Sequence, residues 1–561
     1  MGINHKLRLC MSSVALAVLA PAGSLAQTVP SAADPVKAAD RFQSDPFARP
    51  PEDPLAIEAI APTAAEAEAT FILGGIVFSG VTVYPESELA ALFASYIGKP
   101  VTVTEMQKQI AQISKRYQDD GYALAVAYLP TQTVNDGSTL TIHVSEGRIG
   151  TVTFQGDTPP ESVHQLFLRH IEKIRNERPV RTETLERYLL LINDLPGTTA
   201  RAVMRPSASD EGATDLILYY LHKPYDVIAT TDNRGSRYLG PWQHTLSAAG
   251  NSLLGMEERI SVRTITTSPT QELRYVDLHY EQPINTRGTK VVAITSYAKT
   301  LPGESLKASH VEANSADVQV SLIHPFLRTR LQNLHGHLTF DVRNSITDLA
   351  HANLTDDRVR SIRLGASYDR TGNESATLVN TELSRGIAGL GATEDGAGRS
   401  ITSADHDYTK VTLDVSHTHM LDEAFSLLLT GSGQYAFNTL LSSEQYLVGG
   451  PAYGTAYDPG EMAGDHGLAG KVELRYGQAL EDPLVQAYHV YGFYDVGMIW
   501  RKSPLTTEAS RDSLASAGAG IGVEFGEHIA GNLEVAFPLT KRLSADTDND
   551  GRIFSSLTAR Y

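Results

Sequence analysis

Thiols are almost absent from this 561-residue chain, long apolar runs and an excess of positive charge are missing, and each lack narrows what it can be. Cys10 is the single cysteine. It lies just before a short apolar stretch, Met11 to Ala20, that follows the basic Lys6 and Arg8 and precedes Ser24-Leu25-Ala26. That order is the pattern of a cleaved secretory signal, with a mature chain expected from Gln27. A mature chain without thiols excludes a disulfide scaffold and thiolate metal sites, and suits passage through an oxidising periplasm. The apolar stretch is too short to cross a bilayer core of about 30 Å. No later run reaches the roughly eighteen apolar residues a membrane helix needs, so membrane helices are excluded. Membrane strands are not, because they need only about 9–11 residues of alternating character. The net charge of −18 argues against nucleic acid as a partner and against a polybasic membrane-surface binder.

A length of 561 residues implies more than one domain. Gln27 to Thr70 is rich in Pro, Ala, Asp and Glu and has no sustained period, so it reads as a linker with a short helix over Ala32 to Phe42. From Phe71 the texture changes. FILGGIVFSGV reads as a strand and SELAALFASYIGKP as an amphipathic helix. Thr102 and Glu105 form a capping box that opens a second helix, which Gly121 stops. ALAVAYLP and STLTIHVSEG follow as two strands around Asn135-Asp136-Gly137. The same strand-helix-helix-strand-strand order recurs through RIGTVTFQGD, PESVHQLFLRHIEKI, RTETLERYLLLINDLPG, TARAVMRPSA and TDLILYYLHK.

From Tyr225 to Tyr561 the periodicity is that of strands throughout. In ELRYVDLHYE, Val276, Leu278 and Tyr280 share one face while Asp277 and His279 share the other. A membrane barrel needs such an apolar outer stripe backed by a polar lumen, although a soluble sandwich alternates as well. Short connections such as Pro283 to Gly288 set against long polar ones such as Gly386 to Asp407 favour the barrel, as does the closing aromatic Tyr561.

Several constellations could carry chemistry. Asp495, within YGFYDVGMIW, shares a strand face with Tyr491, Phe493 and Gly497, while the apolar Val490, Tyr494, Val496 and Trp500 share the other. It is therefore expected to point into the lumen, where a carboxylate needs a partner. Asp546, Asp548 and Asp550, followed by Gly551, match the first half of a calcium loop, but Leu557 stands where the bidentate Glu is required. They are a weak calcium candidate, and no other cofactor is expected. His335 with His337, and His417 with His419, lie on single strand faces without a third ligand. Gly518-x-Gly520-x-Gly522 has no following helix and is not a dinucleotide loop. No nucleophile, metalloprotease or paired-carboxylate signature supports an enzyme.

YALAVAYLP, HVSEGRIG and LLLINDLPG resemble POTRA modules. YEQPINTRGTK, LIHPFLRTRLQNL, LLSSEQYLVGGPAYGTAY, GDHGLAGKVELRY and LEVAFPL resemble blocks of the two-partner-secretion outer-membrane transporters, the haemolysin secretion/activation family of the POTRA-plus-barrel superfamily. The resemblance implies an α+β region followed by an all-β one: a signal peptide (1–26), a periplasmic linker or plug helix (27–70), POTRA 1 (71–147), POTRA 2 (148–223) and a sixteen-stranded transmembrane barrel (224–561). It also implies a sixth outer loop folded into the lumen, with Gly449, Gly450 and Pro451 at its base and Gly454, Thr455, Ala456 and Tyr457 at its tip. The family's tip arginine would pair with the aspartate of the Phe493-x-Asp495-x-Gly497 motif, but here Thr455 occupies its place. Either the loop is held more weakly, or Arg475, Arg501 or His466 substitutes. The implied function is capture of an unfolded exoprotein, through its N-terminal secretion domain, followed by export and in some members activation. Ala125, Val126, Ala127, Tyr128 and Leu129 are the candidate edge for adding the client as a strand. Partners would be that exoprotein and outer-membrane lipid, with folding outside supplying the pull. An assembly factor that inserts other barrels is the alternative, and a passive porin a more distant one.

Overall fold

The computed structural model describes residues 30–42, 45–47, 55–57, 70–157, 165–210, 212–393, 398–404, 406–504, 508–541 and 550–561. The signal segment and most of the linker lie outside these residues.

The first N-terminal unit is a four-stranded sheet under two helices. Its strands are Thr70–Ser79, Pro100–Thr102, Val126–Tyr128 and Ser138–Ser145, and its helices Glu86–Ala91 and Val103–Asp119. Thr102 and Glu105 form the capping box, and the second helix buries Met106, Ile110, Ile113 and Tyr117 at helical spacing against the sheet. The first helix stops well before the length its pattern suggests. Residues 92–98 continue as turns, and the chain enters the sheet only beyond them, where Thr70, Phe71 and Ile72 pair with Thr102, Val101 and Pro100. Gly98, at φ 75°, makes the required turn. A buried carboxylate fixes the loop after the first strand. Glu146 accepts from the Thr82 and Val83 amides at 2.6 and 2.8 Å, from the Thr82 hydroxyl, and from Tyr117 Oη at 2.7 Å. Burial alone would raise its pKa, but these donors hold it below the usual value.

The second unit repeats the order with strands Ile149–Gly156, Thr198–Pro206 and Thr214–His222 and helices Gln165–Asn176 and Thr182–Asn193. Hydrogen bonds join it to the first: the Gly121 carbonyl accepts from the Thr182 amide and hydroxyl at 2.8 and 2.9 Å, and the Gly147 carbonyl from the Val180 amide at 3.0 Å. A short strand from the linker, Leu55–Ile57, lies parallel to Thr198–Pro206 and extends this sheet at its edge.

Sixteen antiparallel strands, from Tyr225–Asp232 to Arg552–Arg560, close into a barrel. The expected alternation is realised: Val276 and Leu278 are exposed on the outer wall, while Asp277 and Tyr275 are buried inside. Outer exposure of Val490, Tyr494 and Val496 against full burial of Asp495 repeats the pattern. Turns at the end bearing the N-terminal units are short, as at 284–289 and 329–331, whereas the opposite end carries the long connections 387–408 and 437–465.

The second unit docks on the barrel rim. Arg328 grips Asp194 with two hydrogen bonds of 2.8 and 2.7 Å, and Arg187 donates to the Arg287 and Pro325 carbonyls at 3.1 and 3.0 Å. Leu191 fills the notch at Gly288, where a Cβ would lie 2.5 Å from it. Glu257, on a rim turn, caps helix Gln165–Asn176 by accepting from the Leu166 and Phe167 amides at 3.2 and 2.8 Å, and burial pushes its carboxyl upward.

Candidate functional site: the lumen and the sheet edges below it

The loop between strands Phe425–Ala436 and His466–Ala479 folds back into the barrel as a small hairpin of Tyr446–Val448 and Met462–Gly464. Gly449, at φ 121°, turns the chain where a Cβ would meet the Asp458 carbonyl at 2.3 Å. Gly450 lies beside Pro459, and Pro451 is exposed. The Gly449 and Gly450 amides donate to the carbonyls of Tyr453 and Gly454 at 2.9 and 3.2 Å and so close the tip on itself.

Each member of the Phe493-x-Asp495-x-Gly497 motif meets this loop or its support. Gly497 clears a space for Val448, which a Cβ would approach to 2.2 Å. Phe493 packs where Gly518 lacks a side chain and carries the Lys471 ammonium 4.3 Å above its ring. Asp495 is fully buried and accepts from the Gly454 amide at 2.8 Å and the Thr455 amide at 3.2 Å. It also accepts from the hydroxyls of Thr455 and Ser516, both at 2.6 Å. Four neutral donors thus surround the carboxylate where an arginine fork was expected. Arg475 pairs instead with Glu473, Arg501 donates to the Ala509 carbonyl, and His466 accepts from the Ala436 amide. A threonine suffices because it brings its backbone amide and that of Gly454 to the same carboxylate, and because Ser516, the register neighbour of Asp495 on the next strand, adds a further hydroxyl. Sequence reasoning missed Ser516; its place opposite Asp495 is a matter of strand register.

Ala456 and Tyr457 are buried with the tip, at 0% and 1% exposure. Tyr457 Oη donates to the carbonyls of Lys541 and Ala515 at 3.1 and 3.3 Å. Arg552, from the last strand, donates to the Ala456 carbonyl at 3.3 Å.

A second segment shares the lumen. Residues Ser31–Ala33 form a turn of 3-10 helix and Pro35–Asp40 a short α-helix, Asp34 capping it through the Val36 amide at 2.9 Å. Ala32, Ala33 and Ala38 pack on Tyr238, Leu239, Leu273 and Val311, and Ala39 on Ile265, Tyr275 and Ala298. Asp40 is held by Arg343 at 3.0 Å, and Arg343 also donates to the Ser443 carbonyl at 3.3 Å. Behind it, Arg363 joins Asp341 and Glu444 at 2.7 and 2.8 Å, and Lys410 joins Glu444 at 2.8 Å. Lower down, Asp45 lies 3.5 Å from Arg259 near the rim, on the way to the strand Leu55–Ile57.

The candidate edge Ala125 to Leu129 is an edge strand of the first unit, paired on one side with Ser138–Ser145. Its register covers only Val126, Ala127 and Tyr128, and Ser114 Oγ already accepts the Ala127 amide at 2.9 Å. The equivalent edge of the second unit, Thr198–Pro206, is the one that takes the linker strand: Leu55, Ala56 and Ile57 pair with Ala202, Val203 and Met204. Asn193 completes that edge by bonding both the amide and the carbonyl of Ala200, each at 2.8 Å.

The remaining candidates are scattered. Asp546 and Asp548 lie outside the described residues and Asp550 is exposed. His337 faces Glu382 at 3.2 Å in the lumen, while His417 and His419 stack on each other, with His417 Nδ1 2.8 Å from the Thr377 hydroxyl.

A closed sixteen-stranded barrel with a loop folded into its lumen and two βααββ units at its mouth defines an outer-membrane polypeptide transporter with periplasmic POTRA modules. The chain belongs to the haemolysin secretion/activation protein ShlB/FhaC/HecB family, whose model matches residues 212–525, and a ShlB-type POTRA model matches residues 71–147. It is similar to the heme/hemopexin transporter protein HuxB of Haemophilus influenzae strain 86-028NP, at 21% identity over 82% of this chain and 81% of that protein. The hemolysin transporter protein ShlB of Serratia marcescens is 21% identical over 74% of this chain and 73% of its own length. Among solved structures, CdiB from Escherichia coli matches with a TM-score of 0.71 and 18% identity, covering 100% of this chain and 98% of that one. The protein is thus an outer-membrane translocator of a partner exoprotein.

Proposed function

We propose that the POTRA pair captures the partner's unfolded N-terminal secretion domain by adding it as a strand to the edge of the second unit on which the linker strand lies, displacing that strand, and then passes it through the barrel. The observation that carries this reading is the linker strand Leu55–Ile57, which already occupies part of that edge in this way. Ala200 directs its amide and carbonyl outward to Asn193, so Ala202, two residues on, presents its own groups on the same side. Main-chain hydrogen bonds there give affinity that depends little on client sequence, as a carrier of unfolded polypeptide requires. The edge at Ala125 to Leu129 offers a shorter and partly capped ladder and is the weaker of the two.

Proline separates these edges. Ala202→Pro removes an outward amide while leaving the inner ladder in place, and is expected to lower client binding and export by about tenfold, in line with the loss of a ladder bond and its neighbours. Ala127→Pro is expected to leave export near wild type. If Ala127→Pro abolishes export and Ala202→Pro does not, the first unit is the capture site. Deleting residues 71–223 should stop export while the barrel still inserts; export that survives this deletion refutes capture by the POTRA pair.

A further inference from the structure

The barrel closes between its first strand, Tyr225–Asp232, and its last, Arg552–Arg560, through five register pairs, from Ser556 with Asp232 to Arg560 with Ile228. Every other pair of neighbouring barrel strands is joined by eight or more. Main-chain bonds continue just past both ends of these pairs: Val227 and Tyr561 exchange two, of 3.0 and 2.9 Å, and the Asn233 main-chain amide donates to the Ser555 carbonyl at 3.2 Å. Beyond these, toward the outer end, the seam passes to side chains. The Asn233 amide group takes over, donating to the Ile553 carbonyl at 2.9 Å and accepting from the Ser555 amide at 2.7 Å.

Immediately beyond lies Asp458, three residues past Thr455 on the lumen loop and 1% exposed. Its Oδ1 sits 2.7 Å from Arg552 Nη1, an ion pair set off-axis for a hydrogen bond. Its Oδ2 accepts from the Arg237 amide at 3.2 Å. Arg552 belongs to the last strand and Arg237 follows the first, so one carboxylate of the loop touches both sides of the closure. The two flanking arginines stack on one ring: the Arg552 and Arg234 guanidinium carbons lie 4.9 and 4.8 Å from the Phe554 centroid, and Arg234 is tied to Glu534 at 2.9 Å.

We propose that Asp458 and Arg552 are positioning residues by which the lumen loop straps the outer end of the closing seam, so that withdrawing the loop loosens the seam. The arrangement reverses the polarity of an arginine-tipped loop. The tip carries neutral donors to a wall carboxylate, while the anchoring arginine stands on the wall and the carboxylate on the loop. Because the seam has the shortest ladder in the barrel, it is the place where one buried ion pair has the largest proportional effect. Loop and seam therefore move as one element during transport.

The test uses the full chain in planar bilayers. Arg552→Gln is expected to raise the frequency of large-conductance openings by about tenfold or more, because it leaves the buried Asp458 carboxylate without its counter-charge. Asp458→Asn approaches the same contact from the other side and should act alike, and Arg552→Lys should stay near wild type. Retention of the compact, heat-modifiable form in detergent checks that each variant is folded. Thr230 and Thr558 are register partners with hydroxyls 3.1 Å apart, so Thr230→Cys with Thr558→Cys places a disulfide across the seam. Oxidising that pair in the Arg552→Gln background should return openings to the wild-type level. If openings stay high with the seam locked, the pair holds only the loop and the strap is refuted. Unchanged openings in both folded single variants refute it equally.

Discussion

Two segments fill the lumen, and they are held by different physics. The hairpin loop pairs its own strands and packs Tyr446, Val448, Ala456, Tyr457 and Met462 against Tyr491, Phe493, Ile499, Leu514 and Phe554 of the wall. Its tip places four donors around Asp495. The N-terminal segment offers mostly alanines with Val36, Phe42 against Tyr275, and Phe47, a helix of six residues, and two ion pairs, Asp40 with Arg343 and Asp45 with Arg259. Isolated helices shorter than about 12–15 residues are marginal in water, so this one keeps its shape only while the wall surrounds it. Alanine also buries little area, at about 25 cal/mol per Å². The contrast leads to the expectation that the loop stays seated as a fixture of the pore while the N-terminal segment acts as a stopper, able to leave without rebuilding the wall.

The largest effect that would break this contrast is expected from Asp495→Ala. It strands four buried donors, each costing about 1–3 kcal/mol when left unpaired. The hairpin should lose its seat, and export should fall to background while the barrel still inserts. If Asp495→Ala secretes and melts like wild type, the loop is no more a fixture than the stopper.

Removing residues 30–47 is expected to do the opposite. Steady conductance should rise while export stays within about threefold of wild type, because the segment pairs no strand of the barrel wall and its helix is too short to hold its shape alone. Asp40→Asn alone should give a milder version, since a neutral amide keeps its shape but removes one of the two carboxylates paired with Arg343, leaving Asp317 at 3.5 Å. Loss of export on deletion would show that the segment is a working part and not a stopper.

The alternation that separates Asp277 from Val276, and Asp495 from Tyr494, was legible in the sequence because strand period alone decides which side a residue faces. The capping box at Thr102 and Glu105 was legible for a similar reason, since it is local. What local pattern could not supply was register. Ser516 reaches Asp495, and Asp458 reaches Arg552, only because strands distant in sequence are brought alongside at a particular offset. The helix Glu86–Ala91 is shorter than its period suggests because residues 92–98 run on as tight turns closed by bonds three residues back, such as Phe93 to Ala90. The linker's edge strand at Leu55–Ile57 is too short to have a period at all.

Thr455→Arg restores the residue a family resemblance would favour, and the geometry expects it to harm. The tip is 1% exposed and its carboxylate is already surrounded by donors, so the longer side chain must displace Ser516 or the tip backbone. Overpacking of this kind costs about 1–3 kcal/mol. Export should drop severalfold in a secretion assay, and a gain would mean that the threonine tip is the weaker lock.

The finest distinction lies between Thr455→Ser and Thr455→Val. Serine keeps the hydroxyl that reaches Asp495 at 2.6 Å, and both variants keep the backbone amides. Valine keeps the shape and removes the hydroxyl, which as a donor to a charged group is worth about 1.5–3 kcal/mol. Export by the serine variant should match wild type, and the valine variant should show easier proteolysis of the loop with a partial loss of export. Equal behaviour of the two would place the whole hold on the backbone amides of Gly454 and Thr455. The tip would then be a matter of loop conformation, set by Gly449 and Gly450, and the choice of side chain at 455 would carry no weight.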